Sequence, residues 1–133
     1  MSWLLDTHVW LWSQLDPQQL GGQTAALLLD REQELHVSTI STLEIARLVE
    51  LGHVELGVEV EEWVRLAMDA LPAVTIELSH SIAAESYRLP APFHRDPADR
   101  ILVATARTRS LALLTADRRI LDYPHVGSHD ARS

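Results

Sequence analysis

Short apolar runs that stop at a polar residue alternate along this chain with segments of helical spacing, and that alternation restricts the fold more than any other feature. Trp3-Leu4-Leu5 ends in Asp6-Thr7-His8, and Leu35 to Ser38 forms a second run. Val74 to Leu78, β-branched and alternating, is a third, and Leu111 to Leu114, ending in Thr115-Ala116-Asp117, is a fourth. Such runs read as short strands buried in a sheet. Between them lie helical segments. One runs from Gln23 to Arg31, and one opens on Ser41-Thr42-Leu43-Glu44, which has the form of a capping box, and stops at Gly52. Val58 to Leu71 carries apolar residues at Val60, Trp63, Val64, Ala67 and Leu71 and closes at Pro72, and a further helix capped by Ser79 reaches about Tyr87. Arg118 to Tyr123 reads as a turn or short helix, and Val126 as part of a last edge strand. Strands separated by helices pair in parallel, so the fold class is α/β: a three-layer α/β/α domain with a central, mostly parallel sheet.

The stretch His94 to Arg107, HRDPADRILVATAR, marks a helix start inside this pattern. Asp96 stands at the cap, Pro97 in the first turn where its missing N–H costs nothing, and Asp99 at the third helical position. Acids there gain from the helix dipole and the free N–H groups, which suffices to explain both residues singly. In open parallel sheets, however, ligands bind beyond the carboxyl ends of the strands. Asp6 and Asp117 each follow an apolar strand, while Glu44 and Asp99 each fall in the first turn of a helix entered from the same edge, so four carboxylates point to one rim.

Clustered carboxylates in a partly dehydrated cleft repel and raise one another's pKa unless a cation compensates them. Oxygen ligands without Cys or a His spacing suit Mg²⁺ or Mn²⁺. One or two such ions acidify a water and stabilise charge on a leaving oxygen, which makes phosphodiester hydrolysis the natural chemistry. Each acid also has a structural reading. Glu44 fits the capping box, Asp96 is favoured as a cap, and Asp6 and Asp117 fit turns. Only the joint pattern argues for a site. The seven histidines show no shared ligand spacing and read as surface or turn residues, with His8, beside Asp6, the one of interest. The tryptophans at 3, 10, 12 and 63 read as core or interface residues rather than base-stacking platforms.

Composition narrows the alternatives. A chain of 133 residues with 47% hydrophobic and 23% charged residues builds a single folded domain, 1–133, rather than a disordered segment. It has no Cys, which excludes disulfides, thiolate metal sites and cysteine nucleophiles. No basic leader or membrane-length apolar stretch is present, so the expected location is the cytoplasm, with no membrane partner. The net charge of −8 argues against binding nucleic acid through a large basic face. Up to Tyr87 there are 3 Arg against 14 acids, and beyond it 8 Arg against 5 acids. Arg95, Arg100, Arg107, Arg109, Arg118 and Arg119 lie near the acidic stretches, so a local basic rim and a merely solvated surface both stay open.

LLDTHVWLW, STLEIARL, HRDPADRILVATA and LLTADRRILDYPHV, in this order and spacing, resemble the PIN-domain ribonucleases, specifically the VapC-type toxins of bacterial toxin–antitoxin pairs. The likeness covers essentially the whole chain. It implies that the family's acidic quartet falls on Asp6, Glu44, Asp99 and Asp117, with Asp6 and Asp99 as principal metal ligands and Thr115 steadying the last acid. It further implies dependence on Mg²⁺ or Mn²⁺, an RNA substrate, a homodimer and a small antitoxin. That antitoxin would lie across an apolar surface near Leu48, Leu51, Val54, Leu56 and Trp63. The leading reading is therefore a metal-dependent endoribonuclease acting as a toxin. A non-catalytic PIN-like module that binds RNA or a partner is the alternative. A phosphatase using Asp6 as nucleophile is third, because His8 stands where such enzymes want a second acid.

Overall fold

The computed structural model describes all 133 residues. Its five strands, β1 (Ser2–Leu5), β2 (Glu34–Ser38), β3 (Val74–Ile76), β4 (Ala112–Thr115) and β5 (Ser128–Asp130), form one parallel sheet in the order β3-β2-β1-β4-β5. The chain first steps from β1 outward through β2 to β3, then returns to the other side of β1 for β4 and β5. The β1/β4 junction is thus the point where the direction of winding reverses. Leu4 pairs with Leu113 and Leu5 with Leu114 across it, and the Asp6 N–H donates to the Leu114 carbonyl at 2.9 Å.

The apolar runs lack a polar face because helices cover both sides of the sheet. Trp3, Leu5, Leu35, Val37 and Leu114 point to one side, where they meet α1 (Thr7–Leu15), α2 (Gly22–Leu29), α3 (Thr39–Glu50) and α4 (Val60–Ala70). Leu4, Ile76 and Leu113 point to the other, against α5 (His80–Glu85), α6 (Pro97–Arg109) and α7 (Arg118–Leu121). On the first side Trp10 of α1 and Trp63 of α4 meet edge to face, 5.1 Å between ring centres. The three-layer α/β/α expectation holds in its architecture.

Residues 7–15, given no element by the sequence, form α1, starting directly after Asp6, and other boundaries differ from the sequence expectation. The last strand lies at Ser128–Asp130, beyond Val126, and pairs parallel to β4. The expected capping box is absent. Ser38, the last residue of β2, caps α3 itself, its hydroxyl accepting the Ile40 N–H at 3.1 Å. Strand runs into helix with no loop between them, so Ser41 already lies inside the first turn, fully buried, and Glu44 falls in the second turn rather than the first. No helix is long and apolar enough to cross a membrane.

Candidate functional site

A cavity of about 390 Å³ opens at the carboxyl edge of the β1/β4 junction, lined by Asp6, His8, Trp12, Glu44, Asp96, Asp99, Ala116, Asp117, Arg119 and Arg132. Every acid expected at the rim reaches it, each from a different element. Asp6 sits between β1 and α1, at the cap position of α1 but with no side-chain cap hydrogen bond. Glu44 comes from α3, and since Ser38 does the capping, its carboxylate is not used as a cap. Asp99 projects from the first turn of α6, where Asp96 accepts the Ala98 N–H at 3.0 Å. Asp117 follows β4 and caps α7, accepting the Arg119 N–H at 2.9 Å.

Hydroxyl groups hold these carboxylates in place. Thr115, fully buried, donates to Asp6 Oδ2 at 2.6 Å and accepts the Asp117 N–H at 3.0 Å, so one side chain orients two acids. Thr7 contacts both Glu44 Oε1 and the Ser41 hydroxyl, the latter at 2.8 Å. A hydroxyl has one proton, and an ionised Glu44 only accepts. Thr7 therefore donates to Glu44, and Ser41 donates to Thr7.

Electrostatics follow from this crowding. Burial, and then the charges of Asp6, Asp96, Asp117 and Glu44, push the Asp99 carboxyl up to about 8. Asp6 is raised by burial, partly offset by the Thr115 hydrogen bond. Glu44 is raised by burial and by Asp6 and Asp96, against the Thr7 hydrogen bond. Asp117 differs. Burial pushes it up, but the hydrogen bonds and charge of Arg119 outweigh that and hold it below the ordinary carboxylate range. Arg119 Nη2 lies 3.1 Å from Asp117 Oδ2 and 3.8 Å from Asp99 Oδ2. Its side chain is 61% exposed, so it can swing off these oxygens.

One residue escaped the sequence reading. His94 Nε2 stands 3.1 Å from Asp99 Oδ2, without the angle of a hydrogen bond, and is shielded from solvent with no hydrogen-bond partner. Atoms of His94, Asp99 and Asp117 that could ligate a metal all lie within 4.8 Å of one another. Burial and the Arg119 charge lower its proton affinity. The signal was positional: His94 opens the stretch that carries Asp96 and Asp99, while the spacing of the histidines along the chain says nothing. His8, by contrast, is exposed at the cavity mouth, its ring 6.0 Å from that of Trp12.

The other expectations divide. Of the arginines read as a rim, Arg119 lines the cavity, but Arg100 turns inward and donates to the carbonyls of Ser86, Phe93 and His94. Arg107 donates to the His125 carbonyl, and Arg118 faces Asp122 and Asp130. Arg132 joins the cavity instead, its guanidinium 5.4 Å from the Trp12 ring centre. Trp3, Trp10 and Trp63 are core residues, while Trp12 is half-buried at the cavity wall. Burial removes Trp63 from the apolar surface expected around α3 and α4.

A parallel sheet whose winding reverses at a crevice beyond the strands' carboxyl ends places the chain among the open α/β proteins, whose ligand sites lie at such a switch point. The PIN domain matches residues 3–126, and the chain belongs to the PIN-domain family. It is 35% identical over 122 residues to Ribonuclease VapC22 of Mycobacterium tuberculosis, covering 92% of each chain. Its fold is similar to that of VapBC2 from Rickettsia felis bound to a promoter DNA fragment, at a TM-score of 0.70 and 12% identity over 97% of this chain and 98% of that one. A toxin–antitoxin complex from Klebsiella pneumoniae is similar at a TM-score of 0.67 and 20% identity, with 96% of each chain covered.

Proposed function

We propose that this chain is an endoribonuclease that hydrolyses RNA phosphodiester bonds with Mg²⁺ or Mn²⁺ and serves as the toxin of a toxin–antitoxin pair. The observation that carries the reading is the convergence of Asp6, Glu44, Asp99 and Asp117 on one cavity, with the proton affinity of Asp99 raised by burial and by the other acids. Such a cluster is costly by itself and matches the charge and oxygen chemistry of a hard divalent cation, so the residues fit the group. Asp6 and Asp99 would be its principal ligands, with Asp117 and Glu44 completing the set. When bound, the cation supplies charge neutralisation, an acidified water and stabilisation of the leaving oxygen.

The rest falls to the protein. Thr115 and Thr7 fix the carboxylates so that little reorganisation is needed on binding. Arg119 and Arg132, on the cavity wall, offer positive charge to the phosphates of an approaching strand in a chain that is acidic overall. A ribonuclease as relative and toxin–antitoxin complexes as structural neighbours support RNA as substrate and an antitoxin as partner. A homodimer and a cytoplasmic location belong to the same proposal.

The test is cleavage of a mixed RNA pool by purified protein with Mg²⁺ or Mn²⁺, with EDTA, and with Asp99→Asn. Cutting that needs the metal and disappears in the variant supports the mechanism. Cutting that persists in Asp99→Asn refutes this site, and folded, antitoxin-free protein that cuts nothing favours the binding-module alternative.

A further inference from the structure

We propose that His94 ligates the divalent cation through Nε2, together with Asp99 and Asp117, so that the site holds one nitrogen donor among its carboxylates. This rests on the metal-site reading above and specifies its donor set. Three observations carry it. First, Nε2 lies 3.1 Å from Asp99 Oδ2, and the candidate ligand atoms of His94, Asp99 and Asp117 fall within 4.8 Å of one another. Neighbouring ligands of an octahedral ion with bonds of about 2.1 Å stand about 3 Å apart, so the His94–Asp99 spacing is already that of a coordination edge. Arg119, which pairs with Asp117 at 3.1 Å, has to swing away for a cation to reach both carboxylates.

Second, Nε2 is sealed from solvent and makes no hydrogen bond. A buried ring nitrogen of that kind is normally satisfied, and an Nε2 that donates to neither neighbouring carboxylate has its lone pair available for a cation held between them. Third, the ring is held where it stands. It packs on Phe93 at 4.5 Å between centres, Phe93 packs on Tyr123 at 4.5 Å, and the Tyr123 hydroxyl donates to the Pro90 carbonyl at 2.6 Å. Arg100 ties the same loop to α6 through the Phe93 and His94 carbonyls. A group needed only to fill space requires no such fixing, whereas a ligand does.

The consequence is a preference for Mn²⁺ over Mg²⁺, because imidazole suits transition metals better than the hard Mg²⁺ ion. The experiment is pulsed electron paramagnetic resonance on the full chain loaded with Mn²⁺ alone. The native protein is expected to show ¹⁴N modulation from a directly bound imidazole, retained in His8→Ala and lost in His94→Ala. In a Mn²⁺ titration, His94→Ala is expected to weaken affinity about tenfold, with circular dichroism reporting an intact fold. Should His94→Ala not fold, His94→Asn takes its place, and a native spectrum that lacks nitrogen coupling overturns the proposal by itself. Bound Mn²⁺ without nitrogen coupling, or coupling that survives loss of His94, overturns this proposal and leaves the carboxylate site standing. Failure to bind Mn²⁺ at all overturns both.

Discussion

Asp99 concentrates the tension of the site in one carboxyl group, buried among like charges and raised to about 8. Its replacement has opposite effects on activity and stability. Asp99→Asn keeps the shape and removes one charge, so RNA cleavage is expected to fall roughly 100-fold or more. The same change removes the cost of keeping this buried carboxyl protonated in the metal-free protein at neutral pH and is expected to raise its stability on the order of 1 kcal/mol, as seen by thermal melting. An activity loss accompanied by a lower melting temperature would show that Asp99 serves the fold instead. Thr115 supports Asp6 through the 2.6 Å hydrogen bond that lowers its pKa. Thr115→Val removes that effect, so Asp6 needs a higher pH to ionise. The acidic limb of the pH–rate profile is expected to move up by about half a unit to one unit. Residue type and position in the chain pointed to Asp6, Asp99 and Asp117. They did not point to His94, whose proximity to Asp99 depends on how the loop from Ser86 to Arg95 folds back.

At the scale of elements, the ends of two helices carry measurable energies. Ser38 caps α3 while ending β2, and Ser38→Ala is expected to cost about 1 kcal/mol in denaturant unfolding. Ser110 ends α6 in the left-handed region at φ 56°, a conformation that favours glycine. Ser110→Gly is therefore expected to stabilise by about 0.5–1 kcal/mol, raising the melting temperature by about 2–4 °C. The helix from Pro97 was readable because Asp96, Pro97 and Asp99 are local signals that the structure uses as written. The start of α3 was not. Ser41-Thr42-Leu43-Glu44 has the residues of a capping box, but β2 hands directly to the helix at Ser38. Ser41 and Glu44 are then used by a contact with Thr7, 34 and 37 positions away in the chain.

Across the whole molecule, the acidic cavity links pH, metal and stability. An acid whose folded pKa is raised binds its proton more tightly in the native than in the unfolded state. Between about pH 4 and 8 the folded chain thus holds a proton at Asp99 that the unfolded chain has lost, and stability falls as pH rises through that window. The metal-free protein is expected to show a melting temperature that declines from pH 5 to 8, and Mg²⁺ or Mn²⁺ to raise it most at the upper end. A flat profile, or one unmoved by metal, would remove the cation from the site. Packing at the opposite end of the chain follows another logic. A Cβ on Gly21 would overlap the backbone of Arg132 and Ser133, so no larger residue fits there while the last residues stay in place against α2.

The sequence by itself determined the alternation of buried strands and helices, the parallel sheet and the acids at its carboxyl edge. These follow from local hydrophobic pattern, cap chemistry and the rule that parallel strands need crossovers. Tertiary structure alone decided which hydroxyl holds which carboxylate, that Glu44 is free of capping, that Arg100 and Arg107 serve loops and Arg119 the cavity, and that His94 meets Asp99. Such choices depend on distances between residues remote in the chain and on which groups lose water together, and neither is encoded in the spacing of residues along one segment.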